Sequence, residues 1–556
     1  MGLMRSVAAV LIIALAGCSD SETPTADGPG QGDTHSVDAA LDGPPQEVGA
    51  DTRVDAPFDS SADSAADSVA DADTIVDRLD GRIDGAADTA SDTASDTASD
   101  AASDATSDAT SDADAGTVSL WPAYVSSGHD DFVSDVAVGP NGNVYVRGVY
   151  YPPTTVGSQG STKLQLTSGR PNSVFLVKLS PLGLPLWVRS ADTADGISSG
   201  GLAVDGAGNV YLSGAFGGTL TLGSKTVTSA GSRDVFVAKL DANGNTLWAI
   251  SGGGTASDSA HDLAVSAGGT SVITGAFLDS ATFGTHTITA TNVTSDIFVA
   301  RISSSGAFTY AASAGGISPD SGNAVGLDSA GNAYVVGTFA STNAKFGSHT
   351  VTSSSSTYNE EIFVAKVDPT GLWVWAVGAG GTGNDYGQDI AVRSNGTSYI
   401  VGSFTTTATF GTTTLAPTQS GGHAYIAQLS SSGVFGWAQD IEASSNAFGV
   451  AADSSGPVLT GWFQGTVSIG GTTLTAAGLV DAYVARMNTS GAFTWAAQVT
   501  AAGTVNNVRA AAIDGSGNVF VGGTYPLNTC FGSVCLPGNN SNSAFVARLS
   551  PAGSFY

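Results

Sequence analysis

The chain is poor in the residue types from which most catalytic and nucleic-acid sites are built. It has three cysteines and no Cys-x-x-Cys pair. Its six histidines (His35, His129, His261, His286, His349, His423) are scattered, with no His-x-x-x-His. Zinc sites draw on such pairs, so none is expected here. Lysine and arginine together number 19 against 49 acidic residues, for a formal net charge of −30. Residues 117–556 alone hold 24 acidic and 15 basic side chains, which argues against a nucleic-acid partner. Apolar runs are short. The stretch 7–15 is too short to span a bilayer, and no helical period of adequate length follows it. Glycine-rich runs such as Gly252-Gly253-Gly254 lack the lysine and following helix of a phosphate cradle and read as loops.

What the chain does have is repetition. A unit of about 62 residues recurs seven times, marked by Trp121, Trp187, Trp248, Tyr310, Trp375, Trp437 and Trp495. In residues 235–289 the order is Val235-Phe236-Val237-Ala238-Lys239-Leu240, a turn, Thr246-Leu247-Trp248-Ala249-Ile250, and a glycine-rich loop. His261-Asp262-Leu263-Ala264-Val265 and Ser271-Val272-Ile273-Thr274-Gly275-Ala276-Phe277 come next. Runs of four to seven residues rich in Val, Ile, Phe, Tyr and Thr, bounded by Gly, Asn and Ser, are strands and turns. Four main strands per unit and seven units predict an all-β, seven-bladed propeller over residues 117–556.

Two turns recur. Asp205-Gly-Ala-Gly208-Asn209 and its copies at Asp328 and Asp514 suit a bulged hairpin in which Asp bonds the backbone two residues on. The further carboxylates of a calcium loop are missing, so a plain turn is expected. The second signal is a Gly-x pair between alternating residues, as in Thr282-Phe283-Gly284-Thr285-His286-Thr287, with copies through Phe346-Gly347, Phe410-Gly411 and Ile469-Gly470. It predicts a small type II′ hairpin. In the last unit the slot reads Cys530-Phe531-Gly532-Ser533-Val534-Cys535, which places the cysteines opposite each other and predicts a local disulfide.

These strings, Asp234-Val-Phe-Val-Ala-Lys-Leu240, Asp205-x-x-Gly208-Asn209-x-Tyr211 and Phe283-Gly284-Thr285-x-Thr287, resemble the seven-bladed β-propeller (SBBP) repeats of bacterial surface and secreted proteins. The resemblance covers residues 119–556. It implies a fold and carries no catalytic residues. The first unit departs from it: it lacks a clean Phe-Gly hairpin near Val156-Gly157. The repeat region opens on a strand of the outermost type and finishes one strand short of a full blade. The segment around Leu120-Trp121-Pro122-Ala123-Tyr124-Val125 is therefore expected to close the ring beside Phe545-Val546-Ala547-Arg548-Leu549.

Upstream, Arg5 and the apolar stretch 7–15 read as a secretory signal, residues 1–17. Leu15-Ala16-Gly17-Cys18 resembles the lipobox of bacterial lipoproteins, which implies that Cys18 is the acylated (palmitate-bearing) first mature residue and the membrane contact. Ser19-Asp20 leaves inner versus outer membrane open; the outer membrane, and a surface-exposed address, is the expectation. Residues 18–116 form an Asp/Ser/Thr/Ala-rich stalk. Its part from 19 to 114 contains 25 acidic and three basic residues, with Asp at every fourth position from Asp84 through Asp112. A helix would stack those like charges at i,i+4, so a disordered stalk with ends roughly 50–60 Å apart is expected.

One constellation supports a site. Asp131, Asp258, Asp320 and Asp385 fall at equivalent places before the middle of the inner strand, with Asp195 displaced by about two residues. Symmetry would set them on the channel rim, with Asp135, Asp262 and Asp389 behind them. Such a rim could hold Ca²⁺ or sugar hydroxyls, and no other cofactor is expected; the competing reading is that each Asp supports its loop. The repeated tryptophans read as inter-blade core, with Trp462 off the repeat position and freer to make contacts. The expected function is a non-catalytic, monomeric surface binding or adhesion module for polysaccharide or protein. The alternative is a polysaccharide-acting enzyme with channel-rim carboxylates as acid and base.

Overall fold

The computed structural model describes residues 119–556, apart from 159, 168, 171–172, 194, 199, 356–357, 420, 502–506, 527–528 and 537–540. The expected signal sequence, lipidated Cys18 and acidic stalk lie outside the described residues. Among the described residues there is no helix. They form seven four-stranded antiparallel sheets, the blades of a propeller. The third blade is representative: Ser259–Val265, Ser271–Phe277, Asp296–Ile302 and Phe308–Ala314, paired in sequence order from the channel outward. The innermost strands are Phe132–Val138, Leu202–Val204, Ser259–Val265, Asp320–Leu327, Tyr386–Val392, Ser445–Asp453 and Asn507–Ile513. Each touches the next around the ring, and the last touches the first.

Closure is by the N-terminal strand. Ala123–Ser126 is the outermost strand of blade seven, with Ala123 opposite Val546, Tyr124 opposite Phe545 and Val125 opposite Ala544. Seven hydrophobic clusters each draw on adjacent blades. The one that joins blade seven to blade one contains Trp121, Val125, Val133, Phe175, Phe520 and Val546. Full burial of a Val or Phe side chain contributes about 1.5–3 kcal/mol, so the ring is held by its blade-to-blade seams.

The repeated aromatic residues are seam rivets. Trp121, Trp187, Trp248, Trp375, Trp437 and Trp495 each donate the indole N–H to a carbonyl in the outer turn of the next blade: Pro181, Ala242, Ser304, Ser431, Thr489 and Pro551. In five of these turns the ring lies against the turn glycine, as Trp248 does on Gly306, so that a Cβ there would come within about 3 Å of it. Tyr310 meets Gly371 in the same way, without the N–H bond. Trp462 is half-buried on the second strand of blade six, opposite Asn446 and Ala482.

The small hairpins stitch neighbouring blades. In blade one, Thr154–Ser158 and Leu164–Leu166 extend the closing strand of blade seven. In blade five, Ala408–Phe410 pairs with Trp373–Gly381 of blade four, and in blade seven Thr529–Phe531 pairs with Phe493–Ala501 of blade six. Their turns place Gly223, Gly284, Gly347, Gly411 and Gly532 at φ of about +60° followed by a residue with negative φ, as type II′ requires. The Gly470-Gly471 turn differs. Both glycines have positive φ (59° and 82°), which is the type I′ pattern and needs glycine's freedom twice. In the last hairpin Cys530 faces Cys535 with Cα atoms 4.0 Å apart, joined by a disulfide.

Candidate functional site: the channel and its clamped rim

The rim aspartates are structural. Asp131, Asp258, Asp320 and Asp385 are at most 1% exposed. Asp258 accepts from the backbone N–H of Gly254 (2.7 Å) and of Leu278 (3.2 Å). Asp131 does the same with Ser127 and Tyr151, and Asp385 with Gly381 and Thr405. Asp320 accepts from the amides of Gly316, Ala340 and Ser341 and from the Ser341 hydroxyl. Each carboxylate thus ties the loop that enters a blade to the loop that leaves its second strand. The expectation that these four face the channel as ligand or metal groups is corrected here: their oxygens are consumed by loop amides, which would otherwise be buried without partners. Burial pushes Asp131 and Asp258 up to about 7 and Asp320 and Asp385 up to about 6, against the pull of those amides. Asp195 is exposed and does not share the pattern. Among the described residues no group of three or more His, Cys, Asp or Glu is placed to hold a metal ion.

The Asp-x-x-Gly-Asn strings are plain turns. Asp205 Oδ1 accepts from the amides of Ala207 and Asn209, and Gly208 supplies φ of +81°. Asp205 Oδ2 also receives the Tyr211 hydroxyl (3.1 Å) and lies 3.3 Å from Lys239 Nζ. Asp328, Tyr334 and Lys366 repeat this network in blade four.

Deeper in the channel lies a second set of carboxylates. Asp135, Asp262 and Asp389 sit on the innermost strands of blades one, three and five. Each reaches across to the amide of the following blade: Leu202 (2.7 Å), Val325 (2.8 Å) and Val450 (2.7 Å). The equivalent positions in the other blades are Gly201, Ala324, Gly449 and Ala510, small enough to admit the crossing side chain. Burial raises all three carboxyls, Asp135 to about 7 and Asp389 to about 6, with Asp262 well above the ordinary value. Asp135 and Asp389 both add to the shift of Asp262 through like charge. Arg147, fully buried between blades one and two, donates to the carbonyls of Gly201 (3.2 Å) and Ser198 (3.1 Å) and partly offsets the shift of Asp135.

Immediately before that carboxylate position, the innermost strands carry a β-bulge; the register slips across Ser134, His261, Asn323, Gln388, Phe448 and Arg509. A bulge inserts one residue and re-aims a side chain. Here it turns this position inward as well. Ser134, His261, Gln388, Phe448 and Arg509, with Gly200 from blade two and Phe132, line a cavity of about 240 Å³ in the channel. Phe132 begins its strand, so the cavity lies toward the clamped rim. Asn323 is instead tied across to the Gly387 carbonyl. His261 Nδ1 is 2.9 Å from the carbonyl of Gly322, so it carries the ring proton and leaves Nε2 as an acceptor. Burial holds the imidazole below its ordinary pKa, hence neutral at pH 7. The Arg509 guanidinium lies over the Phe448 ring at 5.4 Å, and among the described residues it has no hydrogen-bond or ion-pair partner.

Sequence reasoning on the repeated aspartates did not find this ring. The available signal was the opposite one, a position that differs in every unit while its neighbours repeat.

No protein-family model matches the chain, and no curated protein matches its sequence. In fold it is similar to a Dyadobacter fermentans protein of unknown function, with 9% identity over 76% of this chain and 97% of that one and a TM-score of 0.35. It is likewise similar to Sqt1 from Chaetomium thermophilum (12% identity, 79% and 85%, TM-score 0.35) and to a streptogramin B lyase (9% identity, 77% and 99%, TM-score 0.28). Likenesses this distant say nothing of ligand or activity.

Proposed function

We propose that the chain is a non-catalytic binding module, an SBBP-type propeller carried by a lipid anchor at Cys18 through the acidic stalk at the bacterial outer surface. On this reading the clamped rim recognises a polysaccharide or a surface protein. The observation that carries it is the repeated carboxylate clamp. Four buried aspartates hold the loops of one rim in place, while the loop sequences they hold differ from blade to blade. Pre-ordered loops lose little freedom on binding, which is the economy of loop-borne recognition on a rigid scaffold. The loop tied by Asp320 exposes Ile317, and the loops that lead into the third strands of blades three, four and six expose Val293, Tyr358 and Leu479. The Asn292 side chain bonds the Ile317 carbonyl across a blade boundary (3.2 Å), so the presented surface is continuous there.

The test is a glycan and surface-protein binding array with the full chain, in Ca²⁺ and again in EDTA. Binding that survives EDTA and falls at least tenfold when Val293, Ile317, Tyr358 and Leu479 are changed to alanine is expected. Turnover of a bound glycan, or binding indifferent to those alanines, would sink the proposal.

A further inference from the structure

We infer that the channel cavity is a second binding site, for a single carboxylate-bearing hydroxylated ring, the chemistry of a uronic acid. Three features carry this. The first is Arg509. Its guanidinium lies over the Phe448 ring at 5.4 Å, and a carboxylate can accept two guanidinium N–H bonds side by side. Arg509 is exposed to solvent where it lines the cavity.

The second feature is the set of polar groups facing the same space: His261 Nε2 accepts, the Gln388 amide both donates and accepts, and the Ser134 hydroxyl, whose proton is directed to the Arg147 carbonyl, accepts. Such a mixture matches ring hydroxyls rather than a bare anion. The third is size. At about 240 Å³ the cavity is at the small end of ligand sites, the scale of a single ring. The deeper Asp135, Asp262 and Asp389 do not compete for the cation, since each is bonded across to the next blade's amide. Gly449 permits the arrangement: a Cβ there would lie 2.7 Å from the Arg509 carbonyl.

This site is distinct from the rim loops, so the four loop alanines above should leave it intact and the two readings fail separately. The experiment is calorimetric titration of the full chain with D-glucuronate, D-glucose and acetate. Glucuronate is expected to bind at least tenfold more tightly than either of the others. Arg509→Gln should lose at least tenfold, and Phe448→Leu several-fold. Arg393→Gln, the same charge change on a turn beyond the far end of an inner strand, should lose nothing. If Arg509→Gln fails to fold, Arg509→Lys keeps the charge without the paired donors and should still lose affinity. Acetate binding as tightly as glucuronate, glucose doing so, or glucuronate binding unchanged in the Arg509 variants would each overturn the inference.

Discussion

The outer belt of the propeller and the inner ring of its channel are built from the same repeat, yet they are opposites. At the belt almost every blade offers the same aromatic residue to the same carbonyl in the next blade's turn. At the bulge the blades offer Ser134, Gly200, His261, Asn323, Gln388, Phe448 and Arg509, no two alike. A seam must be closed seven times by the same geometry, so its residue is dictated by packing. In six of the seven blades the bulge position instead lines the channel cavity, where no repeated seam geometry dictates the residue. In a ring of near-identical units, uniformity marks scaffold and divergence marks the places free to do something else.

The comparison breaks first if the ring need not close. Deleting residues 119–126 removes the Trp121 rivet and exposes the edges of Ser543–Leu549 and Thr154–Ser158. The single cooperative thermal transition of the propeller is expected to disappear; an unchanged melt would show that the seams do not act as a closed set. Smaller, and more direct, is the contrast between Trp248→Ala and Gln388→Ala. The first should cost about 2–4 kcal/mol in denaturant unfolding, through lost packing and an orphaned Ser304 carbonyl. The second should leave the unfolding midpoint where it was. Equal costs would erase the distinction between belt and channel.

The smallest effect is in pH dependence. The four clamp carboxyls and those of Asp135 and Asp389 are held near 6–7 in the folded chain against an ordinary 3.8, and Asp262 is raised well above that value. Between pH 4 and 7 the folded state therefore binds more protons than the unfolded one. Their contribution to stability is fully present below about pH 4 and is lost as pH rises through 6–7. The melting temperature should fall from pH 5 to pH 8. Asp258→Ala should flatten that slope slightly. A profile that rises with pH would mean the clamps are ionised throughout.

Much of the fold was legible because strands and turns advertise themselves locally. The Trp period, the Asp-x-x-Gly-Asn turns and the unpaired outer strand at the N-terminal side led to seven blades and a closing strand. The site was less legible. Spacing alone set Asp131, Asp258, Asp320 and Asp385 on a common rim, and there they lie. Spacing does not say which way a side chain turns, and burial of two loop amides beneath each carboxylate decided that. The channel ring was hidden by the bulge. Strict alternation would send Ser134 and Asp135 to opposite faces, and the inserted residue lets both face inward.

The closing strand has a mechanical consequence. Ala123–Ser126 is hydrogen-bonded along both edges, to Ser543–Leu549 on one side and to Thr154–Ser158 on the other. A pull arriving from the N-terminal side runs along that strand, so its cross-strand bonds must shear together instead of opening one after another. The ring's latch is thus also the place where tension would enter the molecule, and it is loaded in its strongest direction.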